Sequence, residues 1–243
     1  MNKIYAVGIG PGAFEEMTLR AIKILESVEL IVGYKVYVEL VRPHFADKEF
    51  YSTAMRGEAE RCRYAIEQAR AGRDVAVVCS GDAGIYGMAG LLYELRGEAP
   101  LPEIHVVPGL TAACSGAALL GAPLTHDFAV ISLSDLLTPW QDIEMRIDSA
   151  VRSGLSVVLY NPSSMKRHDY LSCACDIALR HLDASCVCGV AQNIGRAGER
   201  MQVMTLGQLK GFEADMFTTV FIGNARTRQI GERMVTPRGY HDV

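Results

Sequence analysis

Val75-Ala-Val-Val-Cys-Ser-Gly-Asp-Ala-Gly-Ile-Tyr-Gly-Met88 is the stretch on which the reading of this chain turns. Five apolar residues run into Ser80-Gly81-Asp82-Ala83-Gly84, and a helical pattern over 85–95 follows. An apolar run that short, ending in a Gly-rich turn, reads as a buried parallel strand. Ligands of open α/β sheets sit at the carboxyl ends of such strands. Gly81, Gly84 and Gly87 allow close backbone approach, and Asp82 adds an acceptor-only side chain. The plain alternative is a tight strand-to-helix turn capped by Asp82.

Outward from that stretch, the N-terminal half reads β-α-β-α-β-α-β. Strands are expected at 3–9, 30–32 and 104–107. Thr18 should cap a helix whose Leu19, Ile22 and Leu25 share a face, and a helix at 58–71 should stop at Gly72. Gly8-Ile-Gly-Pro-Gly12 formally fits a dinucleotide fingerprint with Ala13. That fingerprint wants an acid after the second strand, and Gly33-Tyr34-Lys35 stands there. Pro11 also lacks the N–H a phosphate cradle would use. Gly8–Gly12 is therefore a ligand-facing loop of another kind, and a nucleotide-dependent reductase is disfavoured.

Pro108-Gly-Leu-Thr-Ala-Ala113 opens a small-residue helix at 113–120, suited either to a ligand at its free N–H groups or to close packing. The C-terminal half reads as strands at 128–133, 157–160, 186–191, 201–205 and 218–222, with helices at 143–153 and 169–182. The expectation is α/β: an N-terminal parallel α/β domain, 1–110, and a C-terminal mixed α/β domain, 111–243, with a cleft between them. The unusual loops all follow strands: 8–12, 80–84, 134–140, 161–164 and 193–198.

Composition sets the bounds. With 243 residues, 49% hydrophobic and 21% charged, the chain is of ordinary globular type. A net charge of −4 implies no sequence-independent grip on nucleic acid. No apolar run would span a bilayer and the N-terminus lacks a signal peptide's features, so no membrane role and a cytoplasmic location are expected. The seven cysteines include two Cys-x-Cys pairs, 173/175 and 186/188. This spacing is narrower than usual zinc sites. Buried reduced thiols, with Cys62, Cys79 and Cys114 in apolar settings, are expected, and no metal.

Gly8-Ile-Gly-Pro-Gly12, Ser80-Gly-Asp82, Pro108-Gly-Leu-Thr111-Ala112 and Tyr160-Asn161-Pro162 together resemble the tetrapyrrole methylase family, over essentially the whole chain and in order. Gly33-Tyr-Lys-Val-Tyr37, His126-Asp-Phe128, the stretch from Ile131 to Trp140, and Thr236-Pro-Arg-Gly-Tyr240 look like its precorrin-3B C17-methyltransferase branch. The resemblance implies two α/β domains, S-adenosyl-L-methionine bound between them, a homodimer, and C17 methylation with ring contraction of a precorrin-3 type tetrapyrrole in cobalamin synthesis. It places Gly10, Pro11, Ser80, Gly81, Asp82, Ile85, Thr111, Ala112 and Asn161 beside the cofactor, with Asn193 and Thr219 as further carry-overs. Relatives that methylate uroporphyrinogen carry Asp where this chain has Lys35, so their proposed base does not transfer.

An activated methyl donor needs alignment rather than a triad or a metal. Ring contraction needs proton transfers, for which His126, Asp127, Ser134 and Asp135 are the candidates. Asp135 could equally be a turn residue and His126 a satisfied core histidine. A precorrin is rich in carboxylates, so Lys35, Lys166, Arg167, Arg196, Arg226 and Arg238 are candidate partners. Thr138 and Trp140 offer a polar rim and a stacking face, although Leu136, Leu137 and Trp140 could instead plug the space between domains. A non-catalytic tetrapyrrole carrier, or methylation at another ring position, stays open.

Overall fold

A computed structural model describes residues 3–163 and 169–240. The chain divides into two units, Met1–Thr111 and Ala112–Val243. Ser164, Lys166 and Arg167 of the sequence reading lie outside the described residues.

The first unit runs β1 (Lys3–Gly8), α1 (Leu19–Ser27), β2 (Leu30–Tyr34), α2 (Lys35–Val41), β3 (Glu49–Thr53), α3 (Glu58–Arg70), β4 (Val75–Cys79), α4 (Ala89–Arg96) and β5 (Glu103–Val107). Its sheet is wholly parallel, in the order β3-β2-β4-β1-β5. The apolar run of β4 follows from this position, because both its edges are paired and both its faces are covered. Val75, Val77 and Cys79 pack with Cys62, Ala65 and Ile66 of α3 and Leu92 of α4. Ala76 and Val78 point the other way, to Ala21 and Leu25 of α1 and Val38 and Val41 of α2. Thr18 caps α1 as expected, accepting the Ala21 N–H at 3.1 Å.

Three features depart from the sequence reading here. Residues 35–41 are helical and 49–53 form an edge strand; neither was expected. The helix expected over 85–95 starts only at Ala89. A Cβ on Gly87 would lie 2.4 Å from the Ala83 carbonyl oxygen, and Tyr86 has a left-handed φ of 53°. The chain is too tightly folded there for a regular helix, so Asp82 caps a turn and not a helix.

The second unit runs α5 (Ala112–Leu120), β6 (Gly121–Ala122), β7 (Phe128–Ser132), α6 (Trp140–Arg152), β8 (Ser156–Tyr160), α7 (Tyr170–Ala178), β9 (Val187–Gln192), β10 (Arg200–Thr205), α8 (Leu206–Leu209), β11 (Thr218–Ile222), β12 (Arg228–Ile230) and β13 (Arg233–Val235). Its main sheet, β10-β9-β11-β8-β7, is mixed: β7 and β8 pair in parallel, the rest antiparallel. Helices α6, α7 and α8 cover one face. Helix α5 covers the other, and its small residues are packing devices. A Cβ on Gly116 would come within 2.8 Å of the Phe221 ring, and one on Gly189 within 2.7 Å of Leu120. A three-stranded sheet, β12-β13-β6, was not anticipated.

All seven cysteines are free thiols. Cys62, Cys79, Cys175 and Cys188 are buried, but Cys114 is exposed, on the outer side of α5, which corrects its expected apolar setting. Among the described residues no group of three or more His, Cys, Asp or Glu side chains could hold a metal ion. No helix among them is long and apolar enough to cross a membrane.

Candidate functional site

In the first unit the connections leaving β1 and β4 run in opposite directions across the sheet, β1 toward β2 and β4 toward β5. Such a reversal is where open α/β sheets hold ligands, just beyond the strand ends. The two loops meet there. Gly10 N–H donates to Gly81 O at 3.1 Å and Gly81 N–H to Gly10 O at 2.7 Å, with both glycines at left-handed φ, 75° and 71°.

Asp82 ties in the third loop. Its Oδ1 accepts the Gly84 N–H at 2.7 Å and its Oδ2 accepts the Gly109 N–H at 2.9 Å. The glycines fit one another rather than leaving an open channel: a Cβ on Gly109 would sit 2.2 Å from Gly81 O, and one on Gly8 2.7 Å from Gly109 N. Gly8, Gly81 and Gly109 therefore bring three strand ends into backbone contact. Gly10, Pro11, Ser80, Gly81, Asp82 and Thr111 are gathered on this rim. Just beyond it, Ile85, Tyr86 and Leu110 expose apolar surface at 40%, 60% and 42% of their full areas. Apolar and aromatic side chains beside main-chain donors and acceptors offer a flat ligand a face to lie on and polar edges to meet.

In the second unit the ends of β7 and β8 form another cluster. The Ala113 N–H donates to the Tyr160 hydroxyl at 2.7 Å, so Tyr160 satisfies a free amide of the first turn of α5. Asn161 follows with a left-handed φ of 54° and its Nδ2 donates to Ser132 Oγ at 2.9 Å. Ser134 N–H donates to the same oxygen at 3.2 Å. Thr219, buried in β11, pairs with Ala191 and adjoins Val220, the partner of Leu159, so it lies level with Tyr160. Ala112, Asn161 and Thr219 are thus brought to one end of the sheet. Asn193 does something separate. At a left-handed φ of 51°, its Nδ2 donates to Gly198 O at 3.3 Å and shapes the turn after β9.

The four candidate proton-transfer residues do not form one group. His126 and Asp127 precede β7 and Ser134 and Asp135 follow it; a five-residue strand spans roughly 16 Å. His126 Nε2–H donates to the Pro237 carbonyl at 3.1 Å and so holds the C-terminal tail. Asp135 Oδ2 accepts the Tyr170 hydroxyl at 2.7 Å. Trp140 opens α6 and packs on the Tyr170 ring at 4.3 Å between centroids. The fully exposed apolar residue of this loop is Leu137, at 98%, with Leu136 at 59%. Lys35 is exposed at the start of α2, Thr138 is half-buried, Arg196 lies over the Phe217 ring, and Arg226 and Arg238 are exposed. The bracing roles of Tyr160, Ser132, Tyr170 and Gly109 are not evident in the sequence. Their partners lie 27 to 47 residues away, so only the fold reveals them.

The family model for Tetrapyrrole (Corrin/Porphyrin) Methylases matches residues 3–210. A probable cobalt-factor III C(17)-methyltransferase of Salmonella typhimurium is 46% identical over 96% of this chain and 98% of its own length. A precorrin-3B C(17)-methyltransferase of a Sinorhizobium species is 36% identical over 98% of this chain and 96% of its own. The crystal structure of the methyltransferase CobJ superposes with a TM-score of 0.90 at 33% identity, covering 98% of this chain and all of that one. With the wholly parallel first sheet, the mixed second sheet and the braced strand-end loops in place, these likenesses put the chain in the tetrapyrrole methylase family.

Proposed function

We propose that this chain transfers a methyl group from S-adenosyl-L-methionine to C17 of a precorrin-3 type tetrapyrrole, with ring contraction, in cobalamin biosynthesis, and that it does so as a homodimer. The observation that carries the reading is 46% identity, over nearly the full length of both chains, to a C17-methyltransferase, in a molecule whose switch-point loops are intact.

The cofactor supplies a methyl group already activated on a sulfonium. The protein's share is alignment, because holding donor and carbon nucleophile in line removes much of the barrier. The residues assigned to holding the cofactor are Gly10, Pro11, Ser80, Gly81, Asp82, Ile85 and Thr111 in the first unit and Ala112, Asn161 and Thr219 in the second. Asp82 serves by fixing the loops that carry main-chain donors and acceptors. Tyr160 serves by fixing the first turn of α5. For the proton transfers, Ser134 and Asp135 are assigned in preference to His126 and Asp127, because they stand at the Asn161 end of β7 while His126 donates to the tail at the other end.

Incubation with S-adenosyl-L-methionine and either metal-free or cobalt-loaded precorrin-3 tests this by mass spectrometry. The expected product carries one added methyl group at C17, and the preferred substrate tells the oxygen-dependent route from the anaerobic one. Tight binding of the tetrapyrrole without turnover would instead make the chain a carrier. Stabilisation by NADH but not by S-adenosylhomocysteine would overturn the cofactor assignment.

A further inference from the structure

The two Cys-x-Cys pairs fare differently in the fold. On α7, Cys175 is buried and Cys173 only half-buried, because side chains two positions apart on a helix diverge. Cys186 and Cys188 stay together. Cys188 is buried in β9, in the core under α7 and α8, and Cys186, just before the strand, packs against the same cluster. The two thiols hydrogen-bond to one another. Cys188 Sγ also lies 3.7 Å from Cys186 O, and Cys186 Sγ lies 3.6 Å from Gly223 O and 3.8 Å from Asn224 O.

The pair is asymmetric in access and in ionisation. Cys186 is half-buried, whereas Cys188 is fully enclosed. The S–H that Cys188 donates holds the Cys186 thiol below its ordinary range, against burial and the Asp183 carboxylate. Cys188 is pushed up, because it keeps that proton and is buried. The thiolate is the reacting form of cysteine, so Cys186 is the sulfur that attacks and Cys188 the one that resolves. The spacing permits a bond between them. Two residues of extended chain span about 6.6 Å, within the roughly 4.4–6.8 Å between Cα atoms that a disulfide bridges. Cys186 also stands outside the β9 ladder, in a turn closed by its N–H on Asp183 O at 2.9 Å, so it can tighten toward Cys188 without unpairing the strand.

We propose that Cys186 and Cys188 form a peroxide-reactive pair, a site of reversible oxidation separate from the methyl-transfer site. Cys186 precedes β9 and Asn161 follows β8, and both strands run antiparallel to β11, so the two residues lie at opposite ends of the sheet. In the first step the Cys186 thiolate attacks one oxygen of hydrogen peroxide. The O–O bond breaks, and the departing hydroxide takes up the proton that Cys186 lost and leaves as water. Cys186 is then a sulfenic acid. In the second step the Cys188 sulfur attacks Cys186 Sγ, the S–O bond breaks, and the hydroxyl leaves with the Cys188 proton as water. Two thiols and one peroxide thus become one disulfide and two waters. A dithiol reductant reverses the change by thiol–disulfide exchange.

The test needs no variant. Anaerobically purified protein is treated with a small excess of hydrogen peroxide, its remaining thiols are blocked with iodoacetamide, and it is digested with trypsin. The peptide from His181 to Arg196 contains Cys186 and Cys188 and no other cysteine. It is expected to be lighter by two hydrogens and to carry no alkyl label, and to accept two labels after dithiothreitol. Its oxidation should be about tenfold or more faster than that of Cys62, Cys79 or Cys175, whose thiols are buried and held in the protonated form. Two variants check the order of events. Dimedone, which traps sulfenic acids, should label Cys186 in Cys188→Ala, and Cys186→Ser should leave Cys188 reduced under the same treatment; melting curves confirm that both are folded.

A peptide that stays fully alkylated while exposed Cys114 is oxidised overturns the proposal. So does a bridge from Cys188 to Cys175, or a Cys186–Cys188 bridge that forms only in urea, since either would make the pair ordinary core thiols.

Discussion

Asp82 accepts the amide N–H of Gly109 at 2.9 Å, across 27 residues of chain, while its other oxygen holds the Gly84 N–H. One carboxylate thus fixes the loop after β4 to the loop after β5. Asp82→Ala removes two charge-assisted hydrogen bonds and leaves two amides to find other partners. A hydrogen bond to a charged group is worth about 1.5–3 kcal/mol. The expected result is S-adenosylhomocysteine affinity at least tenfold weaker by calorimetry, with a lower melting temperature. Asp82→Asn can keep one of the two bonds and should fall between. Unchanged affinity in folded Asp82→Ala would reduce Asp82 to a turn residue with no bearing on the cofactor.

Two glycine substitutions separate close packing from mere flexibility. Gly109→Ala places a Cβ 2.2 Å from Gly81 O and 2.6 Å from the Gly8 carbonyl carbon, both main-chain atoms that cannot rotate away. Overpacking of this kind costs about 1–3 kcal/mol, and each kcal/mol moves Tm by roughly 2–4 °C in a chain of this size. Gly90→Ala, in α4, meets nothing within 4 Å and should be neutral or stabilising by up to about 1 kcal/mol. Matching melting temperatures for the two variants would contradict the contact between the strand ends.

What was legible in the sequence follows from what each element buries. β4 announces itself because both its faces and both its edges are covered, leaving no position for a polar residue. β3 gives no such signal: it is an edge strand with no fully buried residue. α2 is only seven residues and carries three valines, and it is held by Val38 and Val41 in the core rather than by helix propensity. The strand-end loops could be located, since Gly, Asp and Asn after an apolar run mark them. Their wiring could not, because Asp82 to Gly109 and Tyr170 to Asp135 are relationships of the folded chain. The seven cysteines gave no pattern that would tell exposed Cys114 from its buried neighbours; the packing of α5 decides that.

The buried thiols give the fold a limit on the alkaline side. Burial pushes Cys62 and Cys175 up to about 12 and Cys79 up to about 11, against about 8.5 for a free thiol. A thiol with a raised folded-state pKa contributes stability below its unfolded pKa, and loses it as pH rises toward the folded value. The urea midpoint should therefore fall between about pH 9 and pH 11–12, and fall less steeply in Cys62→Ala. At neutral pH a thiol reagent should label Cys114 first and reach Cys62, Cys79 and Cys175 only after unfolding. A stoichiometric iron or zinc content in anaerobically purified protein would overturn the reading of these residues as plain thiols.

The loop from Ser134 to Trp140 bears the last prediction. Tyr170 secures it twice, donating its hydroxyl to Asp135 at 2.7 Å and packing its ring against Trp140 at 4.3 Å. Trp140 is therefore a packed reporter behind the loop, and Leu136 and Leu137 are its exposed apolar side chains. Pro139 limits the loop's freedom and so reduces the entropy lost on binding. A bound tetrapyrrole should quench Trp140 fluorescence, and S-adenosylhomocysteine alone should do so much less. If Ser134 and Asp135 move protons during ring contraction, Ser134→Ala with Asp135→Ala should depress kcat by about 10²–10⁴, the usual range for general acid–base groups, with cofactor affinity retained. Tyr170→Phe supplies the control, because it breaks the same hydrogen bond and leaves the carboxylate in place. A loss in Tyr170→Phe as large as in the double variant would mean that Asp135 acts by holding the loop. Normal turnover by the double variant would make the loop packing alone and move the proton-transfer groups elsewhere in the chain.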